Sequence, residues 1–139
     1  MADDLLGFTV LGSATPYSSV DDPCSGYLVS SGDTRVWVDA GTGTLAQLQR
    51  HIRLDVLDAI WISHLHADHS ADLLTAYYGL LYADVQLDAP SPLYGPPGVA
   101  DRLADLTQLA DGCDVLLCEA ESAQIASDEE QVHATFAVG

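Results

Sequence analysis

Apolar and polar positions along the chain change period several times, and each change marks an element. Leu6–Leu11 (LGFTVL) reads as a short strand closed by Gly12-Ser13. Residues 12–25 are rich in Ser, Pro, Gly and Asp and form a long loop, the kind that often rims a site. Gly26–Ser30 and Thr34–Asp39 follow as strands joined by the tight turn Ser31-Gly32-Asp33. Residues 40–44 break the strand, after which Leu45, Leu48 and Ile52 recur at helical spacing. Leu57–Ser63 is an apolar run that fits a buried strand. Ser70–Ala83 then sets Leu73, Leu74, Tyr77, Leu80 and Leu81 on one helical face.

Further on, Ser91–Gly95 suits a short strand, and Pro96-Pro97 opens a helix carrying Val99, Leu103 and Leu106. Val115–Cys118 is a buried-strand pattern, Ser127–Glu130 an acidic turn, and Val132–Val138 alternates as an edge strand should. An antiparallel meander over the first forty residues, then strands alternating with helices, makes the class α/β (α+β), with helices packed on sheet. The chain contains no internal repeat.

The 139 residues, 48% of them apolar, are enough for one domain with a core, taken as residues 1–139. Charge alters the picture more than size does. Against 21 Asp and Glu stand four Arg and no Lys, a formal charge of -17. Such a surface repels phosphate backbones and anionic membranes, which disfavours nucleic acid and membrane partners and favours a small-molecule substrate. No apolar run reaches the roughly 18–20 residues that span a bilayer, and the first residues lack a basic leader, so the expected location is cytoplasmic. Cys24, Cys113 and Cys118 show no CxxC spacing, consistent with reduced thiols.

The chemistry is concentrated in one segment. His64-Leu65-His66-Ala67-Asp68-His69 holds three of the five histidines and follows a buried strand. Ligands commonly bind at the C-terminal ends of strands in α/β structures. In extended backbone His64 and His66 share a face, and the turn into the helix brings Asp68 and His69 to a neighbouring point. Imidazoles with a carboxylate are the donor set that Zn²⁺ prefers. The competing reading leaves these as loop residues, with Asp68 or Ser70 capping the next helix. Asp39 has a plain role as a strand-ending turn residue and a sharper one as acceptor for a ligand imidazole. Gly41 and Gly43 serve the turn, Tyr77, Tyr78 and Tyr82 pack a helix, and His51 lies at the surface beside Arg50 and Arg53.

At Ser63–His69 the sequence resembles the metallo-β-lactamase-fold hydrolases, whose signature is His-x-His-x-Asp-His at the end of a strand. Phe8–Ser13, Ser25–Val29 and Val36–Gly43 look like the ribonuclease Z-like, phosphodiesterase branch. The resemblance implies an αββα sandwich with a two-Zn²⁺ site at its edge. By position, His64 and His66 would hold the first metal and Asp68 and His69 the second. Asp68 would also act catalytically by orienting the attacking hydroxide, and Asp39 would support a ligand from behind. The implied activity is metal-dependent hydrolysis of a phosphodiester or related small ester through a metal-activated water.

The family's further His, bridging Asp and C-terminal His have no match after residue 69, where His133 is the one remaining histidine. Asp114, Glu119 and His133 are the available substitutes, each with a plainer structural role. The expected architecture is therefore the first half of the sandwich plus a fragment of the second, with a junction near residues 100–112. A shortened sandwich would expose an apolar sheet face and favour a homo-oligomer. The alternative function is a catalytically inactive remnant that binds metal weakly or completes its site with a partner chain.

Overall fold

A computed structural model of the chain describes the backbone of residues 5–82, 90–108, 115–120 and 132–138, and the side chains of residues 5–82 and 90–105. Seven strands form one mixed sheet: β1 (Gly7–Gly12), β2 (Gly26–Ser31), β3 (Thr34–Val38), β4 (Ala59–Trp61), β5 (Pro92–Gly95), β6 (Val115–Ala120) and β7 (Val132–Val138). Their spatial order is β1-β2-β3-β4-β5-β7-β6. The first three run antiparallel, as the meander pattern requires, and β3, β4 and β5 run parallel. Among the described residues four α-helices accompany them: α1 (Thr44–Leu48), α2 (Ala67–Ser70), α3 (Asp72–Tyr82) and α4 (Val99–Gln108).

Register explains the core. Leu28, Trp37, Ile60 and Leu93 are cross-strand partners in one row across β2, β3, β4 and β5. All four are buried, against Leu45 and Leu48 of α1, Leu73 and Leu80 of α3, and Val99 and Leu103 of α4. The alternate positions form the opposite face, where Val10, Tyr27, Val38, Trp61 and Tyr94 make a second row. That row is as apolar as the first, and two of its members are not covered among the described residues: Val10 is 57% exposed and Trp61 40%, with Phe8 of the neighbouring row on the same face 64% exposed. The described residues thus form one α/β layer pair, a partial form of the expected sandwich.

Several boundaries differ from the sequence reading. The helix after residue 44 is one short segment, because Arg50 and His51 donate to Gln47 and Leu48 in tighter i→i+3 bonds that end it. The apolar run 57–63 contributes only three strand residues, since Leu54–Val56 forms a 3₁₀ turn leading into it. Val132–Val138 is not an edge strand: it bonds to β5 on one side and β6 on the other. Its alternation fits an interior strand equally well, since pattern reports burial on a face and says nothing of neighbours in the sheet plane. The junction proposed near 100–112 falls partly in α4, and residues 109–112 lie outside the described residues, as do Asp114 and Ser127–Glu130. No described helix is long and apolar enough to cross a membrane.

One buried carboxylate ties helix to sheet. Asp72 accepts the Leu45 N–H at 2.8 Å on its Oδ2, serving the N-terminus of α1 from another element. Its own N–H donates to the Ala40 carbonyl at 2.8 Å, and the Ala40 N–H to the His69 carbonyl at 2.8 Å. Burial pushes the Asp72 carboxyl above its usual range, against the lowering effect of the N–H groups of Leu45, Gly43 and Thr44.

Two outcomes follow. Leu93→Ala, at a fully buried site in the central row, should lower unfolding free energy by about 2–5 kcal/mol, read from urea denaturation. For Asp72, a raised folded pKa means folding favours the protonated form. Its contribution is full below the unfolded carboxyl value and is lost as pH rises through the raised folded value. Asp72→Asn keeps an acceptor for Leu45 without the charge. Urea midpoints across acid to neutral pH should show wild type losing stability relative to the variant as pH rises, and a constant gap would count against this.

Candidate metal centre

Strand directions bring the chemistry to one end of the sheet. The C-terminal ends of the parallel strands β3, β4 and β5 lie together, followed by Asp39, by Ile62–His69 and by Pro96. The 13–25 loop joins β1 to the start of β2, which pairs with the end of β3, so it lies at this same end. Every segment that the sequence marked as loop or motif before residue 70 therefore converges there, apart from the hairpin turn and the 49–58 connection.

Asp39 organises the cluster. Its backbone lies in the left-handed region at φ 56, which Asp tolerates better than most residues. There its carboxylate accepts the Ser63 N–H at 2.7 Å and the Ser63 hydroxyl at 2.8 Å, and lies 2.7 Å from His69 Nδ1. A carboxylate only accepts, so His69 carries a proton on Nδ1, which in the neutral imidazole leaves the lone pair on Nε2. The same logic extends one residue further. Ser63 has a single proton, given to Asp39, so at 3.0 Å it accepts from His64 Nδ1. In a neutral His64 the lone pair then likewise lies on Nε2. One acidic side chain thus sets both imidazoles in the tautomer that binds cations.

The imidazoles themselves come together. The His64 ring centroid lies 4.9 Å from that of His66 and 3.9 Å from that of His69. Asp68 Oδ2 is 3.6 Å from His69 Nε2. Two donors bound tetrahedrally at about 2.0–2.1 Å sit roughly 3.4 Å apart, so this pair has ligand spacing. Among the described residues, however, no group of three or more His, Cys, Asp or Glu is arranged to hold an ion. The donor set matches Zn²⁺ in chemistry and in one pair's spacing, and it is open rather than closed.

Helix capping does not account for these residues. His66 is the N-cap of α2 and makes no side-chain cap bond. The Ser70 hydroxyl turns back to the His66 carbonyl at 2.9 Å, while Asp68 reaches across the site to Thr15, whose hydroxyl donates to Oδ2 at 2.9 Å. That bond, opposed by partial burial and helped by the residue's own backbone N–H, holds the Asp68 carboxyl below its usual range. Thr15 and Ser63 had no signal of their own in the sequence. Ser63 could have been found as the residue between a buried strand and the first His.

Gly41 has a sharper role than turn formation. A Cβ there would overlap the Asp68 carbonyl oxygen and crowd Cys24 and Ser25, so the turn after β3 meets the motif's own backbone through a bare Cα. Gly43 holds φ 90, as a left-handed turn residue should. Cys24 is buried beside this contact, and burial first, then the Asp68 charge, pushes its thiol up, away from reactivity. Tyr77 is buried in the core. Tyr78 and Tyr82 stack at 5.8 Å, beside a groove of about 440 Å³ also lined by Leu45, Ile52 and Leu54. His51 is exposed, and neighbouring Arg53 is engaged by Asp55 through two bonds of 2.9 and 2.7 Å. Among the late candidates, His133 pairs with Tyr94 near the start of β7, which is the site end of the sheet. Glu119 lies on β6, opposite Ala134.

Residues 34–138 match the family model of the beta-lactamase superfamily domain, and the chain belongs to that family. It is 34% identical over 119 residues to a ribonuclease Z of Mycobacterium bovis, covering 80% of this chain and 40% of that protein. It is 38% identical over 65 residues to the probable metallo-hydrolase YhfI of Bacillus subtilis, covering 47% of this chain and 27% of that one. In three dimensions it resembles the crystal structure of YhfI, with TM-score 0.61 and 30% identity, over 70% of this chain and 39% of the other. The short form of human tRNase Z aligns with TM-score 0.63 and 27% identity, over 74% and 40%. The chain spans between about a quarter and two fifths of the length of these relatives.

Gly41→Ala should push the 39–44 backbone off the motif. The expected loss is about 1–3 kcal/mol in urea denaturation, with weaker protection of the His69 and Ala40 amides from hydrogen exchange. Unchanged stability and protection would show that the close approach is not maintained.

Proposed function

We propose that the chain carries the histidine-rich part of the metal site of a hydrolase acting on a phosphodiester or related small ester. The observation that carries this reading is the Asp39 network, which engages Nδ1 of both His64 and His69, directly or through Ser63, where their rings lie 3.9 Å apart. His64 and His66 would hold one ion, and Asp68 and His69 another, where Asp68 would also orient the attacking water. The chemistry supplied there by bound Zn²⁺ is a water of lowered pKa and charge stabilisation at the ester oxygen. This chain's residues position and fix protons: Asp39 keeps Nδ1 of His69 protonated, and Ser63 passes the same constraint to His64. Likeness to proteins named ribonuclease Z supports a phosphodiester bond as the target. The charge of -17 supports a small diester over a polynucleotide.

The open donor set favours a second reading, in which this chain binds metal weakly or completes its site with a partner chain. Metal content after dialysis separates the two. About two equivalents per chain support a self-sufficient site, and one or none supports the second reading. Hydrolysis of bis(p-nitrophenyl) phosphate should be abolished by chelator and fall about a hundredfold or more in His66→Ala. Inert, correctly folded, metal-loaded protein would sink the hydrolase reading for this chain.

A further inference from the structure

Resting on that reading of the site, we propose that Thr15 is a positioning residue for the Asp68 carboxylate, fastening the 13–25 loop to the centre through its hydroxyl. The loop is closed at its neck. The Ala14 N–H donates to the Pro23 carbonyl at 2.9 Å, Ala14 and Cys24 form an isolated bridge, and the Cys24 N–H donates to the Thr42 carbonyl at 3.0 Å. Thr15 is the first residue beyond this neck. Its position relative to the motif is thus set by backbone bonds before its side chain makes any contact.

The contact is specific in which atom it takes. Thr15 Oγ1 donates to Asp68 Oδ2 at 2.9 Å, the same oxygen that stands 3.6 Å from His69 Nε2. One lone pair of Oδ2 is therefore occupied from the loop side, which fixes the carboxylate's rotation and leaves its remaining lone pairs to the histidine side. A neutral donor does this without cancelling charge, as Arg or Lys in the same place would, so the carboxylate keeps its attraction for a cation. Among the described residues no other side chain donates a hydrogen bond to Asp68. The β-branched Thr side chain also has fewer rotamers to lose than Ser. Asp39 holds His69 from one side of the cluster, and Thr15 holds Asp68 from the other.

The test uses the whole chain in two states. With Zn²⁺, measured by competition with a chromogenic chelator, Thr15→Val should weaken affinity about tenfold or more, the scale seen when a ligand's supporting partner is removed. Thr15→Ser should stay within about threefold of wild type, because it retains the donor. Without metal, Thr15→Val, Asp68→Ala and the double variant are compared by melting temperature. The double variant should lose less than the sum of the single losses, since both singles remove the same bond. Additive losses, or equal affinity losses in the Val and Ser variants, overturn the proposal. Non-additive losses in a chain that takes up no Zn²⁺ overturn the metal reading and leave Thr15's hold on the carboxylate standing.

Discussion

A buried carboxylate is tolerated only when its oxygens are satisfied, and Asp39 meets that condition with donors from one short segment. The N–H and hydroxyl of Ser63 and the Nδ1 of His69 supply them. If any of these groups turned away, a charged group only 4% exposed would be left underpaired. The same bonds decide the proton positions on two imidazoles, so what stabilises the turn after β3 also prepares the site. Stability and chemistry share one constraint here, and the left-handed backbone at φ 56 is part of it.

That constraint operates because of sheet topology. Three parallel strands end side by side, so the loops that leave them meet, and the 13–25 loop joins them through the antiparallel hairpin of β1 and β2. The stitching is mostly backbone: Ala40 to His69, Asp72 to Ala40, Gly41 to Ser25. Backbone bonds of this kind do not depend on side-chain identity except where space is short. Gly41 is such a place, since the two segments approach until a methyl group would no longer fit between them.

The two faces of the sheet carry equally apolar rows with different fates. Leu28, Trp37, Ile60 and Leu93 lie under helices, while Val10, Tyr27, Val38 and Trp61 stand on the face that no described helix covers. The open rows Val10-Tyr27-Val38-Trp61-Tyr94 and Phe8-Val29-Val36-Ala59 contain no charged residue, despite the strongly acidic composition. None of β1 to β5 carries Asp or Glu, and among the described residues the acidic groups other than Glu119 lie in loops and on helices.

Much of this was legible in the chain. The hairpin of β2 and β3, the buried run around Ile60, the helix through Leu73 and Tyr77, and the His64–His69 motif all announce themselves by period or spacing, which depend on neighbours in sequence. The role of Asp39 was legible only as one of two alternatives, and its choice of His69 required the turn to be folded. Thr15 and Ser63 were silent, because a lone hydroxyl has no period and its partner stands up to 53 residues away. The place of β7 inside the sheet was misread for a related reason: alternation records which face is buried, whereas strand order is set by long-range hydrogen bonds. Local pattern follows from the geometry of one backbone. Which loop meets which, and which proton sits on which nitrogen, follows only from segments brought together in space.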